Sequence, residues 1–396
     1  MRRTSWLALA SVALAGCGGH GSSGGAGPFS SGAGIASATS STAAGASPSP
    51  SPNPSPSPNP NPNPSPSPNP NPSPSPSPSP AQRFEVAAWI PYWTYGVADG
   101  LLAANVGVAV DEVNLFGYSL QLDGSIVPLR GVEDAARLAA IRSRGGKLVS
   151  TVFDVEVRGS LDAVLADPAR RQRTIAGILD AIDRNGLDGI DIDFEAATST
   201  TRDAFTRFVE EIGAAVKGRG KLYSVTVPPK RADRPNWAGY DYAALGAAAD
   251  RVKIMGYGYS GSWGSAGPLG PVSWLAQVVA YAKSVIPARK LQLGIPLYGY
   301  EWDAGGGSRA VVTWTALQDR LRRASAPARY DAASGETTFE WVDGAGVRKT
   351  VWFTEPRGVA AKCQLVRDEG LLGLATWAIG YGEQAHLDQV RAVLRR

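Results

Sequence analysis

Histidine and cysteine are scarce in this sequence, and their scarcity excludes several kinds of enzyme chemistry. The 396 residues contain two histidines, His20 and His386, and two cysteines, Cys17 and Cys363. This inventory argues against Ser-His-Asp, Cys-His and histidine–metal sites, which need several such side chains together. Cys363 is alone in the part of the chain that we expect to fold. We therefore expect no disulfide there and interpret Cys363 as a small core residue.

A strong excess of one charge is also missing. The formal net charge is +4, from 39 Lys and Arg against 35 Asp and Glu. A protein that binds nucleic acid would be expected to carry a basic stripe, and none runs along this sequence. We therefore exclude nucleic acid as a partner.

An apolar run long enough to span a membrane as a mature helix is absent from the start of the chain. Residues 1–17 have a basic beginning, a short apolar core and the ending Leu14-Ala15-Gly16-Cys17, which together are typical of a secretory signal. The ending resembles the bacterial lipobox, which implies cleavage before Cys17 and a lipid on its thiol. The alternatives are an ordinary signal peptide with a chance cysteine, or an internal start.

Residues 18–82 lack the apolar surface that a folded core requires. Residues 18–46 are mostly Gly, Ser and Ala, and every second residue from Pro48 to Pro80 is proline. We predict a disordered tether that includes an extended spacer of roughly 100 Å, at about 3.1 Å per residue.

The residue after Cys17 bears on the location of the protein. An aspartate at that position would retain a lipoprotein at the inner membrane, but the residue here is Gly18. We therefore expect the protein on the bacterial cell envelope, at the outer membrane or cell surface.

Residues 83–396 alternate between apolar strand-like runs and helical patterns. The predicted helices are Val132–Ser143, Leu161–Arg184, Thr200–Lys217, Tyr242–Ala249 and Val272–Ile286. The eight predicted strands are Val86–Trp93, Glu112–Ser119, Lys147–Asp154, Leu187–Glu195, Leu222–Pro228, Arg251–Tyr257, Leu291–Tyr298 and Leu371–Ile379. Such alternation predicts an α/β fold with parallel strands and crossover helices. Eight units predict a (β/α)8 TIM barrel, which typically needs about 250 residues.

The remaining residues fit a small insertion at residues 303–352, between the seventh and eighth strands. This segment contains Arg329-Tyr330-Asp331 and the strand-like runs Thr337–Val342 and Val347–Phe353, with Asp343-Gly344 between the last two. Asp-Gly favours a tight hairpin turn. We therefore predict a small α+β insertion.

The chemistry is concentrated in Asp188-Gly189-Ile190-Asp191-Ile192-Asp193-Phe194-Glu195. Apolar and acidic residues alternate, so a strand places Asp191, Asp193 and Glu195 on one face. Carboxylates this close repel one another and retain a shared proton, as a general acid requires. The predicted strand ends at Glu195, where barrel active sites lie. The alternatives are a solvated acidic edge or a divalent cation site, although calcium prefers loops rich in Asp, Asn and Gly.

The same residues resemble the DxxDxDxE pattern of glycoside hydrolase family 18, the chitinase-like enzymes, and the resemblance runs from about Ala87 to the C-terminus. It implies that Glu195 is the acid and base, that Asp193 orients the substrate's own acetamido nucleophile and that Asp191 supports Asp193. Asp188 is expected to fix the strand or its loop. The implied substrate is an N-acetylated glycan. The resemblance implies no cofactor and no metal.

Four aromatic residues are candidate substrate contacts on the same resemblance. Tyr257 matches the tyrosine at the end of strand six, Trp377 matches the tryptophan of strand eight, and Tyr298 ends strand seven. Trp89 and Trp93 flank the end of strand one, and one of them is expected in the core; we assign Trp89 to substrate. The alternative interpretation of Tyr257 and Trp377 is that they are aromatic residues of the barrel core.

Two departures from the family pattern bear on the substrate. Gly258 stands where typical chitinases have aspartate, and Ser150-Thr151-Val152-Phe153 replaces a Ser-x-Gly-Gly motif. The pattern is more similar to bacterial cell-surface members, including spore-cortex-lytic relatives. We expect a monomeric, retaining glycosidase acting on chitin oligomers or peptidoglycan-like glycans. One alternative is a lectin-like lipoprotein. Another is a metal-dependent hydrolase, which the low number of histidines disfavours.

Overall fold

The computed structural model describes residues 83–261, 264–304, 309–324 and 326–395. The expected lipidation site Cys17 and the predicted tether 18–82 lie outside these residues. In the described ranges, no helix combines the length and apolar character needed to cross a bilayer.

Parallel strands close into a barrel. The strands of the described residues are β1 (Glu85–Pro91), β2 (Glu112–Leu120), β3 (Ile126–Pro128), β4 (Lys147–Phe153), β5 (Gly189–Asp193), β6 (Leu222–Val227), β7 (Arg251–Met255), β8 (Leu291–Pro296), β9 (Gly299–Asp303), β10 (Arg309–Val312), β11 (Arg329–Asp331), β12 (Glu336–Val342), β13 (Arg348–Phe353) and β14 (Gly373–Trp377). The barrel follows the order β1-β14-β8-β7-β6-β5-β4-β2, and a parallel β1–β2 pairing closes it. All eight predicted strands are present, which confirms the (β/α)8 barrel. The short strand β3 pairs antiparallel with β2 and was not predicted.

Helices follow the barrel strands and cover them. They are α1 (Tyr95–Asn105), α2 (Ala135–Ser143), α3 (Ser160–Leu165), α4 (Pro168–Asn185), α5 (Arg202–Gly218), α6 (Tyr242–Ala248), α7 (Val272–Val285), α8 (Trp314–Arg322), α9 (Pro356–Asp368) and α10 (Gln384–Leu394). The single helix predicted over Leu161–Arg184 is two helices. Pro168 cannot continue a helix but suits the first position of α4, where the Asp167 carboxylate accepts the backbone N–H of Ala169 at 2.8 Å.

The insertion is larger than predicted. It forms an antiparallel sheet in the order β10-β9-β13-β12-β11, with α8 packed against it through the buried Leu317. The sheet starts at Gly299, because β9 follows directly after Tyr298. The prediction found only β11, β12 and β13. The four-residue β10 is too short for a period-two pattern to be recognised.

The apolar face of β5 lies where the alternation predicted. Ile190, Ile192 and Phe194 are all buried in the layer between the barrel and its helices. The ring of Phe194 stacks on that of Phe208 from α5 at a centroid distance of 6.0 Å. The acidic residues of β5 must therefore face the barrel interior.

Candidate active site

A cleft of about 350 Å³ opens at the carboxyl ends of the barrel strands. Five residues expected from the sequence line it, namely Asp193, Glu195, Tyr257, Tyr298 and Trp377. They come from the ends of four different strands, β5, β7, β8 and β14. The barrel therefore brings together side chains that are far apart in the sequence.

Asp191 lies fully buried inside the barrel and does not line the cleft. In the strand register it is opposite Thr151 of β4 and Ser224 of β6, whose hydroxyls donate to it at 3.1 and 2.5 Å. Trp89 Nε1 donates at 3.0 Å, and Lys253 Nζ lies 3.3 Å away. An indole nitrogen and an ammonium group can only donate. Both oxygens of Asp191 are therefore held by donors from the surrounding strands.

Asp193 has the opposite surroundings. Its side chain is buried, and no described residue forms a hydrogen bond with its Oδ1 atom. Burial raises the pKa of Asp193 well above its usual range; the negative charges of Asp191 and Asp154 add to this, and Lys253 opposes it. Asp193 is therefore inclined to hold a proton where an ordinary aspartate has lost it.

Glu195 lies two residues beyond the end of β5, so the predicted strand 187–195 was too long. A side chain, and not a neighbouring strand, binds the backbone here. The carboxylate of Asp154, the first residue after β4, accepts the backbone N–H groups of Glu195 at 2.9 Å and Ala196 at 3.1 Å. Burial raises the pKa of Asp154 to about 6, against the lowering effect of these two N–H donors. Burial also raises the pKa of Glu195 well above its usual range, and the charges of Asp193 and Asp154 contribute. A carboxyl group that stays protonated near neutral pH can act as a general acid.

Asp188 secures the other end of β5. Its Oδ2 atom accepts the backbone N–H of Leu148 on β4 at 2.8 Å. The expectation that Asp188 fixes the strand is therefore confirmed.

Trp377 presents a half-buried indole ring to the cleft, and other aromatic rings support it from behind. Its centroid lies 5.1 Å from that of Phe116, 6.1 Å from Trp89 and 6.4 Å from Trp93, all in edge-on arrangements. These contacts fix the orientation of the indole. Its flat face is suited to the apolar face of a sugar ring.

The placement of Trp89 corrects its assignment to substrate. Its side chain is only 1% exposed, it does not line the cleft, and its Nε1 atom is used by Asp191. Because β1 ends at Pro91 and a short 3-10 turn follows, Trp93 reaches the cleft instead. Trp93 Nε1 donates to the hydroxyl of Tyr381 at 2.9 Å. Trp89 is therefore the core member of the pair.

Tyr257 and Tyr298 lie side by side in the cleft, with ring centroids 6.4 Å apart. Burial raises the pKa of Tyr257 well above its usual range, and the nearby charge of Asp193 adds to this. The buried hydroxyl of Tyr298 has no hydrogen-bond partner among the residues described. Such a group is available to a ligand.

Gly258 has a backbone reason to differ from the family pattern. Its φ angle is +82°, in the left-handed region that glycine adopts without strain. An aspartate with this backbone conformation would be strained.

Several residues of the site were missed by sequence reasoning. Asp154 and Lys253 had weak signals, because Asp154 is the last residue of a predicted strand and Lys253 interrupts an apolar one. Arg231, Arg234 and Trp237 line the cleft from the segment 228–237 after β6. No sequence pattern indicates that this segment turns toward the acids.

The arrangement does not resemble a metal centre. The Lys253 ammonium group beside Asp191 would repel a cation. Within the described ranges, no three side chains of His, Cys, Asp or Glu are grouped as metal ligands.

Comparison with known proteins agrees with this geometry. The family model of glycosyl hydrolases family 18 matches residues 133–382. The cortical fragment-lytic enzymes of Bacillus subtilis and Bacillus anthracis are 29% and 27% identical to this chain, over 67% of it in each case. The matches span 63% and 64% of those two enzymes, so the chain spans less than two thirds of either relative.

A solved structure has the same architecture. The chitinase from Chromobacterium violaceum is 28% identical, with a TM-score of 0.72, over 79% of this chain and 99% of that protein. The family model alone covers more than half of the present sequence, including β5 and all the cleft residues expected from the sequence. The chain therefore belongs to glycosyl hydrolases family 18.

Proposed function

We propose that this protein is a retaining glycosidase that cleaves β-linked glycans containing N-acetylglucosamine by substrate-assisted catalysis. The observation that carries the proposal is the pair Asp193 and Glu195, which line one cleft and whose pKa values are both raised by burial and by neighbouring charges. Asp191, whose two oxygens are held by donors, precedes this pair on β5. One proton donor and one polar orienting group are what a substrate-assisted reaction needs from the protein.

In the proposed reaction, protonated Glu195 donates its proton to the glycosidic oxygen as the bond to the anomeric carbon breaks. The carbonyl oxygen of the substrate's own 2-acetamido group attacks that carbon and forms an oxazolinium ion. Asp193 accepts the acetamido N–H and so orients the nucleophile. The Glu195 carboxylate then removes a proton from water, which opens the oxazolinium ion and restores the starting configuration.

The aromatic residues are assigned to substrate binding. We assign Tyr257 as the donor to the acetamido oxygen and the indole of Trp377 as the surface on which the reacting sugar packs. The unpaired hydroxyl of Tyr298 is a further donor to the glycan. Trp93 takes the substrate-binding position that the sequence prediction gave to Trp89.

The cleft wall favours an acidic glycan. Arg231 and Arg234 line it, and the Arg231 guanidinium donates to the neutral Gln277 at 3.1 Å. Arg234 Nε is 3.8 Å from Asp233, which already accepts from Arg202 at 3.0 Å. These positive charges are poorly neutralised by the protein and would attract carboxylates on the substrate. We therefore favour peptidoglycan-like glycans over neutral chitin oligomers.

The decisive experiment compares wild-type protein with Glu195→Gln on chitin oligomers, a chromogenic chitobioside and purified peptidoglycan, with products identified by mass spectrometry. Glutamine keeps the size of glutamate but cannot supply the proton, so turnover should fall by about 10²–10⁴-fold or more. Initial products should retain the β configuration by NMR. If wild-type protein binds these glycans but cleaves none, the lectin-like alternative is correct. Near-full activity of Glu195→Gln would remove Glu195 as the acid.

A further inference from the structure

Lys253 of β7 takes no part in the proposed reaction, yet it contacts two buried acidic side chains, Glu112 and Asp191. Its side chain is completely buried inside the barrel. A buried ammonium group is strongly unfavourable unless charged and polar partners surround it. The partners of Lys253 therefore indicate why the barrel retains it.

Four side chains from four other strands surround Nζ of Lys253. Glu112 Oε1 of β2 lies 2.8 Å away and Asp191 Oδ1 of β5 lies 3.3 Å away. Nζ also donates to Ser224 Oγ of β6 at 2.9 Å and lies 5.7 Å from the ring centroid of Trp89 of β1. Ser224 links Lys253 to Asp191, because it accepts from Lys253 and its own hydroxyl donates to Asp191.

The other charged groups facing this cluster leave Lys253 shared between two carboxylates. Arg251 forms two short contacts with Glu85, at 2.8 and 3.0 Å, and a longer one of 3.6 Å with Glu112. The positive charge of Arg251 therefore largely neutralises the negative charge of Glu85. Lys253 remains the nearest cation to both Glu112 and Asp191.

We propose that Lys253 is a positioning residue for the reaction: it keeps Asp191 ionised, so that the proton retained by the acidic cluster resides on Asp193 and Glu195. Without it, Asp191 would compete for that proton, since a buried carboxylate next to Asp193 has no other cation within contact among the residues described. Glu112 acts in the opposite sense, because it draws part of the Lys253 charge away from Asp191.

This inference rests on the proposed function, and it makes a prediction of sign. Removing the Lys253 charge makes every nearby carboxyl group easier to protonate, because an opposite charge within about 4–6 Å lowers a carboxyl pKa by about 1–3 units. Both limbs of the pH–activity profile should then move to higher pH. Removing Glu112 frees Lys253 for Asp191, so both limbs should move to lower pH.

The test measures kcat/KM against pH for the full chain, with nitrophenyl diacetylchitobioside as substrate, in wild type, Lys253→Met and Glu112→Gln. We expect an upward shift of about one pH unit for Lys253→Met and a smaller downward shift for Glu112→Gln. The double variant, which removes a cation and an anion together, should show a smaller shift than Lys253→Met alone. If Lys253→Met does not fold, the downward shift expected for Glu112→Gln still tests the sign, and an unchanged or upward-shifted profile in that variant overturns the inference.

A purely structural ion pair would lower stability in all variants without moving the profiles in opposite directions. Superimposable profiles, or shifts of the same sign in Lys253→Met and Glu112→Gln, would overturn the inference while leaving the proposed function intact. Wild-type protein that cleaves neither this substrate nor peptidoglycan would instead overturn the proposed function.

Discussion

Asp191 and Asp193 lie two residues apart on the inner face of β5, but hydrogen-bond donors surround only Asp191. Both oxygens of Asp191 receive donors, whereas Oδ1 of Asp193 has none among the described residues. One strand thus carries a carboxyl group that several donors hold in place and another with an oxygen that no described residue holds. The two positions should consequently respond differently to the same chemical change.

The first prediction compares Asp191→Asn with Asp193→Asn. An asparagine at 191 would direct an amide N–H₂ toward groups that can only donate and would leave Lys253 with one carboxylate fewer. We expect the free energy of unfolding to fall by about 3–5 kcal/mol for Asp191→Asn and by less than about 1 kcal/mol for Asp193→Asn. Urea unfolding monitored by tryptophan fluorescence measures both. Equal losses would contradict the division of roles, whereas turnover should fall in both variants.

The second prediction concerns stability and pH at Glu195. Its pKa is raised in the folded state, so folding favours the protonated form. The wild-type protein should therefore lose stability as pH rises from the unfolded-state value of about 4.3 through the folded value. Glu195→Gln cannot ionise, so its Tm should exceed that of wild type by about 2 °C near neutral pH and match it near pH 4. A difference that does not grow with pH would contradict the raised pKa.

The third prediction tests the role of Trp89. Trp89→Phe keeps an aromatic ring next to Trp377 but removes the Nε1 donor to Asp191. A hydrogen bond to a charged group contributes about 1.5–3 kcal/mol. We expect kcat to fall and KM to stay within about twofold, because Trp89 does not line the cleft. Trp93→Phe is the matched comparison, and there KM should rise. A raised KM in Trp89→Phe would restore the original assignment to substrate.

Much of the fold was predictable because its signals are local. The eight barrel strands are apolar runs bounded by helical patterns, and the period-two alternation at 190–195 correctly placed Ile190, Ile192 and Phe194 against the helices. The end of β5 was not predictable. Alternation continues to Glu195, but the carboxylate of Asp154, which directly follows the neighbouring strand β4, accepts the backbone N–H of Glu195 and ends the strand early. That contact joins residues 41 positions apart in the sequence.

The composition of the site was only partly predictable for the same reason. A motif identifies candidate catalytic residues, and it found Asp191, Asp193 and Glu195, of which the last two line the cleft. It does not identify residues that act through them. Lys253 reads as one polar residue in an apolar strand, and only closure of the barrel brings it to Asp191.

The fourth prediction concerns the proposed lipid anchor and tether. Cys17→Ala should release the processed protein from the membrane fraction, measured by fractionation and immunoblotting. Deleting Pro48–Pro80 should leave Tm and activity on a soluble substrate unchanged, because the segment contains only Pro, Ser and Asn and has no large apolar side chain to bury in a core. Unchanged membrane association of Cys17→Ala would contradict the anchor, and a lowered Tm after the deletion would show that the spacer packs on the barrel.

The fifth prediction tests the acidic-glycan preference of the cleft. The double variant Arg231→Gln/Arg234→Gln should lose about tenfold or more in kcat/KM on glycan strands that carry carboxylates. It should lose little on neutral chitin oligomers or on the same strands after their carboxylates are amidated. Salt should reduce the wild-type preference, because exposed charges are screened. Arg322→Gln is the control, since that arginine is exposed on α8 away from the cleft. An equal loss on charged and neutral glycans would mean that the arginines shape the cleft wall without selecting charge, and the preference for peptidoglycan-like substrates would then have no support from this part of the site.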